Sequence, residues 1–156
     1  MSNTIKNAIK LVKLVKEPWI NEVVITTDYA DIENCPIYFL RPKHLYFQWW
    51  NREAPDYIRN IVDRVGQEAE GETHGACSNR LIYLHGDIAQ FGLIYTTYVL
   101  LHELGHYDQW KKYGDCIISE KSEEDDFDIV YWKNEIIADI YALPYLEKIA
   151  KRGFII

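Results

Sequence analysis

The chain has 156 residues, 48% of them hydrophobic and 14% aromatic, and a formal net charge of −7. Such a length suits one domain covering 1–156 and buries roughly 68–70% of the unfolded chain's surface, so folding calls for neither disulfide nor structural metal. The acidic balance speaks against direct binding to nucleic acid, and no segment approaches the roughly 20 apolar residues that would span a membrane.

Residues 3–16 read as an amphipathic helix, with Ile5, Ile9, Val12 and Val15 on one side. Lys6, Lys10, Lys13 and Lys16 interrupt the apolar run, so the segment lacks a signal-peptide core. A docked helix with a wet basic edge is expected here rather than a membrane-surface helix. The three cysteines, Cys35, Cys77 and Cys116, are odd in number and show no CxxC spacing. They point to buried thiols in a reducing compartment, hence to the cytoplasm.

Pro18 is expected to end the first helix. Residues 22–27 (EVVITT) and 36–40 (PIYFL) read as strands, and the aromatic stretch 44–50 as a hydrophobic cover. A second helix is predicted over 55–70, with Tyr57, Ile58, Ile61, Val62 and Val65 inward. Residues 71–75 (GETHG) read as a loop, and 80–85 (RLIYLH) as a strand. Asp87, with Gln90 three residues on, resembles the N-cap of a long apolar helix that runs towards Lys111 and Lys112, with Gly114 as its stop. The acidic run 119–128 (SEKSEEDDFD) reads as an exposed linker. A last helix follows from Asp128 through Leu143, kinked or interrupted at Pro144.

The long helix carries His102-Glu103-Leu104-Gly105-His106, an HExxH motif. At about 100° per residue the two histidines lie roughly 40° apart around the helix and one turn apart along it. Their Cβ atoms then stand roughly 5–6 Å apart, close enough for both rings to reach one zinc ion. Glu103 falls beside that ion without ligating it, where a general base for water activated by the metal belongs. The apolar residues Ile94, Tyr95, Val99, Leu100 and Leu101 imply a buried helix, in which two histidines and a glutamate need a common partner.

A catalytic zinc takes a third protein ligand and keeps one position open. Gln109 and Lys112 occupy the places where the metzincin pattern carries its glycine and third ligand, which excludes that group. The last helix offers Asn134-Glu135-Ile136-Ile137-Ala138-Asp139, with Glu135, Ala138, Asp139 and Ala142 on one stripe. The small residues, with Gly105 opposite, would let the two helices approach closely. Glu135 is then the third ligand, and Asp139 supports a ligating histidine through its free N–H. The expected fold is α+β and zincin-like, a small sheet packed on the HExxH helix and on the C-terminal helix that bears the glutamate.

On LLHELGHY (100–107) and E-x-x-A-D-x-Y-A (135–142), the chain resembles the ImmA/IrrE family of metallopeptidases. It departs from the family at Ile137, where members often carry an acidic residue, and in its longer acidic segment. The resemblance implies a gluzincin-type peptidase with one Zn2+ per chain. The substrate it implies is a helix-turn-helix repressor of a bacterial or mobile-element regulatory system. In zincins the strand before the active helix, here 80–85, is the edge that pairs with an extended substrate. His85, Tyr107, Tyr131 and Tyr141 are candidate oxyanion donors, whereas His44 and His74 show no metal spacing. Two rivals share the fold: a non-cleaving zinc-binding regulator, and a toxin-like protein neutralised by a partner.

Overall fold

A computed structural model describes residues 1–32, 50, 52–68, 74–113 and 124–156. Helix α1 (Asn3–Leu14) starts where the Ser2 hydroxyl accepts the Ile5 N–H at 3.2 Å. It buries Ile5, Ala8, Leu11 and Val12 completely against the core and leaves Lys6, Lys10 and Lys13 exposed. This is the docked helix with a basic edge that the pattern implied. It stops two residues earlier than expected, because Lys16 turns into the left-handed region at φ 59° ahead of Pro18.

The turn after α1 is fastened by Glu17, which is only 3% exposed. Its carboxylate accepts the N–H groups of Trp19 (2.9 Å) and Ile20 (2.7 Å) and the Tyr141 hydroxyl (2.5 Å). Burial pushes the Glu17 pKa above its ordinary value, and these hydrogen bonds offset only part of the rise. A raised carboxyl pKa favours the folded state below the ordinary Glu value, and that advantage is lost as pH rises through the raised value. We expect Glu17→Gln to melt below wild type in mild acid, by a few degrees for a loss of about 1 kcal/mol. The gap should narrow towards neutral pH, as paired calorimetric scans at several pH values would show.

Three strands form a sheet in the order β1 (Val24–Thr26), β3 (Leu81–Leu84), β2 (Gly75–Ser78). β1 runs parallel to β3 with Val24 opposite Leu81, and β2 runs antiparallel to it with Gly75 opposite Leu84. A parallel pair needs a crossover, and the intervening chain includes α2 (Asp56–Glu68). That helix turns Ile58 and Val65 into the core, with Ile61 and Val62 half-buried and Tyr57 at its exposed edge.

The sheet corrects two expectations. Gly75 opens a strand rather than closing a loop, since residues 75–78 (GACS) carry no apolar alternation and are ordered by pairing with β3. With β2 on one side and β1 on the other, β3 is the central strand, so 80–85 is not the free edge. Among the described residues, β2 and β1 are the edges.

Asp87 does not cap the long helix. It lies in a 3-10 turn (Gly86–Phe91), where the His85 ring accepts its N–H at 3.1 Å. Gly92 then takes φ 93°, a conformation that favours glycine, and helix α3 (Leu93–Tyr113) begins after it. Residues 95–105 are buried on every side, so α3 is the central rod of the fold.

The last helix is longer than the pattern predicted. As α4 it runs from Glu124 to Arg152 and passes straight through Pro144. An internal proline costs about 3 kcal/mol. Ala142, Leu146 and Ile149, all fully buried on either side of it, offset that cost by packing the helix onto the core. Residues 124–128 of the acidic run are thereby helical rather than linker. Lying outside the described residues are the strand at 36–40, most of the aromatic stretch 44–50, His44, Cys35, Cys116, Gly114 and residues 119–123. Among the described residues no helix is long and apolar enough to cross a membrane.

Candidate metal centre

The site forms where α3 and α4 cross. At Gly105 a Cβ would stand 2.6 Å from the carbonyl oxygen and 2.8 Å from the Cα of Ala138. Only a glycine permits that approach, and Ala138 and Ala142 present no further bulk. The small-residue stripe therefore does what its spacing suggested. It brings Glu135, one turn before Ala138, across to the histidines of α3.

Three donor residues converge, Glu135 with both of its carboxylate oxygens. His102 Nε2 lies 2.8 Å from Glu135 Oε2, His106 Nε2 lies 3.0 Å from Glu135 Oε1, and the two ring nitrogens are 3.2 Å apart. A tetrahedral zinc with bonds of about 2.0–2.1 Å separates neighbouring donors by roughly 3.3–3.4 Å. The three residues thus form a triangle whose separations, 2.8–3.2 Å, fall somewhat short of that spacing, with one ligand atom from each lying within 4.8 Å of the others. Its chemistry agrees, because the half-buried carboxylate of Glu135 and the fully buried one of Asp139 flank two imidazoles, an arrangement that calls for a cation. His102, His106 and Glu135 can together hold a metal ion.

The second carboxylate orients the first ring. Asp139 is fully buried, and its Oδ1 accepts the His102 Nδ1–H at 2.6 Å, which leaves Nε2 aimed at the triangle. The same oxygen accepts the Tyr98 hydroxyl at 2.7 Å. Tyr98 escaped the sequence reading, although its position one turn before His102 is a usable signal.

Charge follows this geometry. Burial alone would raise the Glu135 carboxyl, yet the His106 and His102 rings hold it well below the usual carboxylate range. Burial opposes charge on both rings, but Glu135 and Asp139 lift His102 well above its ordinary value, and Glu135 lifts His106. Glu103 is 6% exposed, and burial raises its pKa despite the neighbouring rings, which pull the other way. A Cβ built on Gly75 of β2 would meet Glu103 Oε1 at 3.2 Å and Val99 Cγ1 at 2.7 Å. The edge strand and the proposed base are therefore in direct apposition.

The candidate oxyanion donors are engaged elsewhere. Tyr141 donates to Glu17, the Tyr107 hydroxyl points at Glu22 (3.4 Å), and His85 caps the 3-10 turn. The Tyr131 side chain lies outside the described residues. His74 is half-buried rather than a plain loop residue. Its Nδ1 pairs with the Tyr95 hydroxyl at 2.6 Å, and its ring packs on Phe91.

These features define an α+β chain with a three-stranded sheet and a buried His–His–Glu group able to hold a metal. No family model, no curated protein and no solved structure matches it.

Proposed function

We propose that the chain is a zinc-dependent peptidase of the gluzincin type, holding one Zn2+ through His102, His106 and Glu135. The observation that carries this reading is the convergence of three donor residues beside a buried glutamate that is not one of them. Two imidazoles and one carboxylate suit zinc, and a three-ligand set leaves a position for chemistry. When bound, zinc supplies Lewis acidity for activating water and polarising a carbonyl. Glu103 takes the proton from the attacking water and later delivers it to the leaving amine. Burial raises the proton affinity of Glu103 in the metal-free site, the direction that a base which later becomes an acid requires. Asp139 and Tyr98 hold His102 in the ligating tautomer.

The substrate is a protein segment in extended form. Among the described residues strand β2 is an edge of the sheet, and it abuts Glu103, so a peptide added along it would run past the site. The likeness to ImmA/IrrE peptidases supplies the substrate class, a helix-turn-helix repressor cleaved in the cytoplasm. The chain's own net charge of −7 favours recognition of the protein over its DNA.

The test is Glu103→Gln. We expect it to keep zinc at one per chain while repressor cleavage falls by about 10²–10⁴-fold. A variant that still inactivates the repressor without cutting it would establish the non-cleaving regulator instead.

A further inference from the structure

His102 receives its orienting acceptor from Asp139, but the second histidine has a different arrangement. Gln109 stands three residues beyond His106 on α3 and is only 2% exposed. Its Oε1 lies 3.2 Å from His106 Nδ1, and its Nε2 lies 3.0 Å from the main-chain carbonyl oxygen of Asn134, the residue before Glu135. A carbonyl oxygen only accepts, so the amide NH2 must face Asn134 and the amide oxygen must face His106. That oxygen in turn requires a hydrogen on Nδ1. The His106 tautomer is thereby settled, and its Nε2 lone pair points at the triangle.

We infer that Gln109 is a positioning residue for the metal centre. It fixes the ligating tautomer of His106 and ties that histidine to the backbone turn that presents Glu135. The choice of an amide has a physical reason. Glu103, Glu135 and Asp139 already place three carboxyl groups around two rings. A neutral acceptor orients His106 without burying a further negative charge. The amide also has a donor for Asn134, which a carboxylate lacks. Through Gln109 the two helices are thus joined by a hydrogen-bonded relay in addition to the Gly105–Ala138 approach.

This inference rests on the metal-centre reading, and the experiment separates the two. Zinc affinity is measured by chelator competition for wild type, Gln109→Met and Gln109→Glu, with far-UV circular dichroism reporting the fold. Methionine keeps the length but supplies neither partner, and it should weaken zinc binding by about 10–100-fold. Glutamate keeps an acceptor for Nδ1–H but not the donor, and should bind zinc more tightly than the methionine variant. Imidazole ¹H–¹⁵N spectra of zinc-loaded wild type should show the His106 Nδ1 proton. Wild-type affinity in Gln109→Met overturns the inference alone. So does a zinc-loaded wild type whose His106 is protonated at Nε2, however the variants fold. A wild-type chain that takes up no zinc overturns the metal centre, and this inference with it.

Discussion

Gly105→Ala is expected to cost the protein most of its proposed peptidase activity while leaving each candidate ligand and the proposed base unchanged. The added methyl would stand 2.6 Å from the Ala138 carbonyl oxygen, and neither helix backbone can rotate out of the way as a side chain would. Alanine is the better helix former by about 0.8–1.0 kcal/mol. Overpacking at a rigid contact costs about 1–3 kcal/mol, so the clash outweighs the propensity gain. To restore ordinary contact α4 must retreat on the order of 1 Å, and Glu135 retreats with it. A displacement of that size at a catalytic site costs on the order of 10²-fold in rate. The expected result is a folded protein that melts a few degrees lower, binds zinc more weakly and cleaves about 10²-fold more slowly. Scanning calorimetry and chelator competition on the same sample would check it. A variant that melts higher than wild type with full zinc affinity would contradict the close approach of the helices.

The second large effect is expected at Asp139. This carboxylate has no exposure, and one of its oxygens accepts from both His102 Nδ1 (2.6 Å) and Tyr98 (2.7 Å). Asp139→Ala removes the shared acceptor of two buried donors at once. Removing one side of such a buried cluster costs about 3–5 kcal/mol, enough to threaten folding in a protein of this size. Asp139→Asn retains an acceptor oxygen but not the charge. It should fold, and bind zinc about 10–100-fold more weakly. Tyr98→Phe removes one donor and leaves His102 its acceptor, so its effect on zinc should be smaller than that of Asp139→Asn. Measuring the three affinities side by side distinguishes an orienting carboxylate from one that only packs. Equal zinc affinity in wild type and Asp139→Asn would refute the orienting role.

The parts of the site that were legible in the sequence share one physical property: they are local along a helix. His102 and His106 converge because four residues make nearly one turn. Glu135, Ala138, Asp139 and Ala142 form a stripe for the same reason, and Gly105 stood out as a gap in an otherwise bulky apolar helix. Those regularities survive whatever the rest of the chain does. The burial of α1, α2 and α3 followed from composition and period in the same way.

What the sequence left open was set by partners distant along the chain. Segment 75–78 has no apolar alternation and becomes a strand because β3 offers it a ladder, a change that also moves β3 to the centre of the sheet. Pro144 reads as a break. It is carried through because Leu146 and Ile149 are buried beyond it, and burial outweighs the lost hydrogen bond. Tyr98 and Gln109 are ordinary helix residues until Asp139 and the Asn134 carbonyl are brought opposite them. The sequence alone determined which atoms can bind a metal, since donor chemistry and helical spacing are properties of a residue and its near neighbours. Only the tertiary structure decided how those atoms are oriented, which strand borders them and how tightly the helices meet. Those depend on contacts between segments 25–41 residues apart, and on the packing that makes them pay no penalty for being buried.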